Sequence, residues 1–336
     1  MAKSKKKKHS SFPRYALAFL AGIALPACLA LGWHVAYGQQ HDQQRLPVRQ
    51  AALDTVAPSS PSRPAVSPAE EAAEMRREFA GAVNKPTLDR IDQLRKMWRN
   101  SPKIAQILDE RRQRLVSLNP SYLEFIRKDA LYQMSRAGLS FDDSQYFVYA
   151  DRNPSAQFIS VGFYDAERNQ VEILGVDLIS SGNIEKGGDY FETPTGVFEN
   201  VVENFSYRAL GTPNQDGWRG LGAKDSRVWD FGDQKGLKKY KNGNTVSQMR
   251  LLMHSTDPDK GEARLGRTDS KGCVRISQGL NRFLDTYAIL DRNYEEWAKT
   301  KPDSWLLKKD RKPVAYPGKF LIIGDSSPGL QAQAGR

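Results

Sequence analysis

Beyond the first 41 residues the chain contains one cysteine, Cys273, and one histidine, His254, nineteen positions apart in the stretch LLMHSTDPDKGEARLGRTDSKGCVRI. A thiol attacks as its thiolate, and an imidazole within reach can take the proton, so this pair reads as nucleophile and base. Gly272, directly before the thiol, permits a tight turn and presents an N–H with no side chain in the way. With the N–H of Cys273 it would form an oxyanion hole for a tetrahedral intermediate. Ser277 then reads as the N-cap of a helix through Leu280, Phe283, Leu284 and Tyr287, whose positive end favours a thiolate. The bland alternative is a buried apolar cysteine beside a hydrogen-bonded core histidine. A metal site lacks ligands, since one His and one Cys do not make a zinc site. With no phosphate-binding or dinucleotide glycine loop either, no cofactor is expected.

Ser270-Lys271-Gly272-Cys273-Val274-Arg275, preceded by Met253-His254-Ser255, resembles the signature of the L,D-transpeptidase (YkuD-type) family, bacterial enzymes that remodel peptidoglycan. Thr193-Pro194-Thr195-Gly196-Val197-Phe198 resembles that family's second, weaker marker. The departure is Lys271, which stands where the family most often has histidine. The resemblance implies a mostly β catalytic domain in which Cys273 is acylated by a stem peptide, a second stem's amine resolves the thioester, and the carbonyl of Ser255 orients His254. Water as the acceptor would give a hydrolytic relative instead, a carboxypeptidase or an enzyme that releases wall-attached protein; a non-catalytic wall-binding scaffold is the third reading. Arg275 can bind a substrate carboxylate as a planar fork or brace the loop. Ser270 is expected to position the loop or substrate. Lys271 would favour the thiolate if its charge faces the sulfur, and do little if it points to solvent.

An exported location follows from the N-terminus. Residues 1–38 join a basic head (Lys3, Lys5–Lys8, Arg14) to an apolar run from Tyr15 to about Tyr37, the layout of a signal or a membrane anchor. Length favours an uncleaved anchor, with the rest of the chain on the envelope side of the inner membrane; Ala36-Tyr37-Gly38 offers a cleavage alternative. One thiol in the exported part cannot form an internal disulfide, which supports Cys273 as a reagent. The net charge of +11 includes six cations in the first fourteen residues, and the remainder is spread among many acids. No basic face for nucleic acid is evident; a mild positive excess suits an anionic wall.

The elements that must position the pair change character along the chain. Residues 39–68, rich in proline and serine, read as a disordered tether. A helical segment follows at 69–138, with Met75, Phe79 and Val83 and then Leu88, Ile91, Leu94 and Trp98 at helical spacing, and Ser101-Pro102 and Asn119-Pro120 as helix starts. It reads as a small domain or as an arm folded on the catalytic body. Residues 145–324 read as the catalytic domain, with strands at Tyr146–Tyr149, Phe158–Tyr164, Val171–Ile179, Val197–Val202 and Phe320–Ile323. Between the markers, Asn204 to Gln248 reads as a long insert that serves as a lid or packs, with Trp218 and Trp229 lining a groove or filling core. Residues 325–336 read as a flexible tail. The expected architecture is therefore a mostly β, L,D-transpeptidase-like domain preceded by a small helical segment and an N-terminal membrane helix.

Overall fold

The computed structural model describes residues 66–301 and 305–327. The expected membrane anchor and tether lie outside these residues, and among the described residues no helix is long and apolar enough to cross a membrane. The chain begins with four helices, α1 (Pro68–Phe79), α2 (Lys85–Met97), α3 (Pro102–Val116) and α4 (Pro120–Arg136), each with a proline in its first turn. That position needs no N–H, so proline starts the helix at little cost. At α1, Ser67 and Glu70 form a capping box: the Glu70 N–H donates to the Ser67 hydroxyl, and the Ser67 N–H to the Glu70 carboxylate. A π-helical turn, Ala80–Asn84, joins α1 to α2, and the Asn84 side chain donates to the Val176 carbonyl at 2.8 Å.

Ten strands follow: β1 Gln145–Asp151, β2 Phe158–Asp165, β3 Gln170–Leu178, β4 Phe191–Glu192, β5 Gly196–Glu199, β6 Tyr207–Arg208, β7 Arg227–Tyr240, β8 Gly243–Ser255, β9 Val274–Ile276 and β10 Phe320–Gly324. They form two sheets. The first has the order β3-β2-β1-β10-β5, and the second β4-β7-β8-β9 with β6 also paired to β7. Helices α5 (Gln278–Thr286) and α6 (Arg292–Thr300) follow β9.

Every residue of β1 is buried, which alternation of side chains explains. Tyr146, Val148 and Ala150 join one core with Trp229, Phe231, Leu251 and Met253 of the second sheet and with Met75 and Phe79 of α1. Phe147 and Tyr149 join another with Ile91, Leu94, Leu108 and Ile126 of α2–α4. The first sheet is thus covered on both faces, by helices on one side and largely by the second sheet on the other. The segment 69–138 is therefore an arm that shares its core with the sheets rather than a separate small domain. Three further readings are narrowed with it. Much of the Asn204–Gln248 insert is strand, because β7 and β8 form a long hairpin. Trp229 is fully buried core and lines no groove. The start of the tail is tied down, with Asp325 2.9 Å from Arg152 and the Ser326 N–H donating to Asp151.

Phe79 joins the arm to the strand-rich body. Its ring meets that of Phe283 in α5 edge-on, 5.3 Å between centroids, and fills space beside Gly175. Phe79→Ala should lower stability by about 3–5 kcal/mol, as for large truncations at buried aromatics. Urea unfolding of the purified protein measures this, and a loss below about 1 kcal/mol would show that the arm adds little to the body.

Candidate active site

The second sheet turns one face to the core and the other outward. Met249, Leu251 and Met253 face the core, so Arg250, Leu252 and His254 alternate onto the opposite face. β9 lies parallel to β8 with His254 opposite Arg275, and β7 places Val228 opposite His254 and Tyr207 of β6 opposite Val228. Paired residues share a face, so Tyr207, Val228, His254 and Arg275 form a row across four strands. Cys273, two residues before Arg275, lies on that same face, diagonal to His254.

His254 is buried, and its Nδ1 is 2.8 Å from the Ser255 carbonyl oxygen. A carbonyl only accepts, so Nδ1 carries the proton and Nε2 keeps its lone pair. Burial and the nearby Arg275 cation push the imidazole down to about 4, against the upward pull of the Ser255 carbonyl. Cys273 is partly open to solvent, but protein encloses the sulfur on most sides and drives its pKa up. The Leu252 N–H and Arg275 oppose that rise, and Asp230 adds to it. At neutral pH the resting pair is consequently a neutral thiol and a neutral imidazole. The hydrogen-bond contact of the thiol is with the Arg250 carbonyl, 3.9 Å away, and none joins it to the imidazole among the described residues.

The loop before β9 is fixed by buried hydroxyls. The Ser270 hydroxyl donates to the Cys273 carbonyl at 2.6 Å and accepts from the Gly272 N–H at 3.0 Å. Ser270 is wholly buried, so its role in this structure is to brace the loop, not to bind substrate. The same contact alters the expected oxyanion hole. The Gly272 N–H is occupied by Ser270, which leaves the Cys273 N–H as the candidate donor of the two. The upstream marker meets the downstream one here, through a residue the sequence reading gave no role. The buried Thr193 hydroxyl accepts from the Gly182 N–H and donates to the Gly272 carbonyl, both at 2.8 Å. Gly182 has no room for a side chain, since a Cβ there would lie 2.0 Å from the Phe191 carbonyl oxygen. Gly272 has φ +125°, a conformation closed to other residues. On the far side of β9, Ser180 and Arg275 exchange two main-chain hydrogen bonds of 3.0 Å.

Lys271 is exposed, with Nζ 5.8 Å above the Tyr190 ring. It exerts no resolved influence on the thiol; Arg275 is the cation that does. The Arg275 guanidinium donates to the Asp269 carbonyl at 3.3 Å, which braces the loop, and remains partly accessible. Ser255 contributes its carbonyl, while its hydroxyl is buried without a hydrogen-bond partner among the described residues. Sequence reading passed over three further neighbours of the thiol. Asp230 is buried and ion-paired to Arg250 at 2.9 Å, and Tyr207 is raised by burial and then by Asp230 and Cys273. These residues carry no motif; only the strand register exposes them. Tyr207 also opens onto a groove of about 510 Å³ that includes Leu210 and Trp218. Among the described residues no cluster of His, Cys, Asp or Glu could hold a metal ion.

No family model and no curated protein matches this chain. Among solved structures the chain is similar to the helical cell shape determining protein Pgp2 from Campylobacter jejuni, at 16% identity and a TM-score of 0.25, over 60% of this chain and 57% of that one. The match spans little more than half of that protein.

Arg275 holds the thiol down by favouring its anion and holds the imidazole down by opposing its cation. Arg275→Gln should therefore raise both pKa values, whereas Lys271→Gln should move neither. The pH dependence of thiol alkylation reads the first and NMR titration of the His254 ring the second. A Lys271→Gln shift as large as that of Arg275→Gln would reverse this assignment.

Proposed function

We propose that this protein is a peptidoglycan-remodelling cysteine acyltransferase of the L,D-transpeptidase type, forming cross-links between stem peptides through a thioester. The observation that carries the reading is the placement of the Cys273 thiol and of an imidazole whose Nδ1 is fixed by the Ser255 carbonyl, diagonal to each other on one face of paired strands. The signature residues in the sequence supply the substrate class.

In this reading the substrate amide carbonyl approaches the sulfur as Nε2 of His254 takes the thiol proton. Sulfur bonds to carbon, and the carbonyl electron pair moves onto oxygen, where the Cys273 N–H donates to it. The intermediate collapses with loss of the amine, which receives the proton from the imidazolium. An incoming stem amine then attacks the thioester, gives up a proton to His254, and expels the thiolate, which is reprotonated. Because both groups rest neutral, proton transfer accompanies attack rather than preceding it. The imidazole's low pKa keeps it basic far below neutrality, though a weaker base.

Incubation of the purified protein with tetrapeptide muropeptides, followed by mass analysis, tests the assignment. Cross-linked dimers are the expected product, and Cys273→Ala should abolish them while leaving the fold intact. Trimmed monomers would make the enzyme hydrolytic, and unchanged substrate would leave a wall-binding scaffold.

The same reading places the folded body on the envelope side of the inner membrane, held by residues 1–38. Cell fractionation should recover the full-length chain with membranes. A soluble form that begins at Gln39 would instead establish cleavage.

A further inference from the structure

Among the described residues, one edge of the β7–β8 hairpin is left without a partner strand over much of its length. Its register runs from Asp233 opposite Arg250 to Tyr240 opposite Gly243, around a turn at Lys241 and Asn242. On the β7 side, β4 pairs with Leu237 and Lys238. On the β8 side, β9 pairs only with Met253, His254 and Ser255. From Gly243 to Met249 the outer edge of β8 meets no other strand among the described residues. That bare stretch leads directly to the thiol. The Arg250 carbonyl and the Leu252 N–H both face Cys273. Main-chain groups alternate sides along a strand, so Gln248, Val246 and Asn244 turn their N–H and C=O groups to the same edge.

Exposed edges are ordinarily blocked by inward charges, proline or a covering element. Asn244-Thr245-Val246-Ser247-Gln248 contains neither charge nor proline, and four of these five residues are exposed. The ribbon around it carries Lys235, Lys238, Lys239, Lys241 and Arg250, with no Asp or Glu from Gln234 to Thr256. Lys238 and Lys239 reach Asp189 and Glu185 on the neighbouring loop, while Lys235 and Lys241 form no ion pair among the described residues. A second copy of this edge would bring like charges together. An acidic extended chain would not.

We infer that the outer edge of β8 is the substrate's binding track: an acidic stem peptide adds to it as a short strand, in line with β9, and delivers its carbonyl to Cys273. This rests on the acyl-transfer reading for the identity of the peptide. Direction follows from the chemistry. A donor that loses its C-terminal residue must bring that end to the sulfur, so it runs parallel to β8, as β9 does. Reach follows from length. Four residues span at most about 14 Å, which carries the chain from the thiol back to about Val246. The main-chain partners are then Gln248 and Val246, and Asn244 lies beyond the peptide.

Proline at an outward-facing position removes one edge donor without touching the β7 ladder. Binding of a tetrapeptide muropeptide to the Cys273→Ala protein, measured by calorimetry, should weaken about tenfold when Val246→Pro or Gln248→Pro is added. Asn244→Pro should change nothing. Circular dichroism checks each fold. Independently of any fold change, a muropeptide N-methylated at the amide nearest the thiol should lose a similar factor on the Cys273→Ala protein alone. Equal affinity across the three proline variants, indifference to N-methylation, or no binding by Cys273→Ala would each overturn the track. Edge-dependent binding without turnover by the wild type would overturn the acyl-transfer reading alone. Turnover with the same KM in Val246→Pro would overturn the track alone.

Discussion

The site depends on a parallel pairing only three residues long. Met253, His254 and Ser255 of β8 lie beside Val274, Arg275 and Ile276 of β9, and this register places Cys273 and His254 diagonally on one face. Three residues of parallel ladder are too few to hold themselves. β9 is therefore gripped from its other edge by Ser180 and from its preceding loop by the Ser270 and Thr193 hydroxyls. Each of these hydroxyls is buried, where an unmade hydrogen bond costs about 1–3 kcal/mol, so the loop has little freedom to adopt another course. Gly182 and Gly272 let three backbone segments approach more closely than any side chain would permit.

The electrostatic setting keeps the resting site quiet. Burial disfavours charge on both the sulfur and the imidazole, and Asp230 and Arg275 act on the thiol with opposite sign. A neutral thiol is less open to oxidation than a standing thiolate. The same burial gives a proton transfer inside the site a larger electrostatic consequence than it would have in water. Tyr207, in the row that contains His254 and Arg275, also lines the adjoining groove.

The helical arm serves the site from a distance. It covers one face of the first sheet and, through Phe79, reaches α5, the helix that follows β9. Ser277 joins the two layers. Its hydroxyl accepts from the Leu280 N–H to cap α5 and donates to the buried Asp177 at the end of β3, which Thr87 of the arm also meets. The strand that places the thiol is in this way continuous with cores that the residues preceding the sheets help to build.

Chemistry-bearing residues and helix starts were legible in the sequence because they are local. Cys273, His254, Gly272 and the Ser277 cap declare themselves by residue type and spacing, and Pro102 and Pro120 mark the beginnings of two helices. The β7–β8 ribbon was not legible, because a strand with one face in water carries Lys, Gly, Asn and Ser and lacks a continuous apolar run. Trp229 and Trp218 could not be told apart for a related reason: burial is a property of what surrounds a ring. The use of the Gly272 N–H by Ser270, the joining of Thr193 to Gly272, the direction of Lys271 and the company of Tyr207 and Asp230 all depend on strand register and on contacts between segments far apart in the chain. The sequence by itself determined which side chains are present that could do chemistry. Tertiary structure decided which of them meet and in what charge state, because register and burial arise only when distant segments share one core.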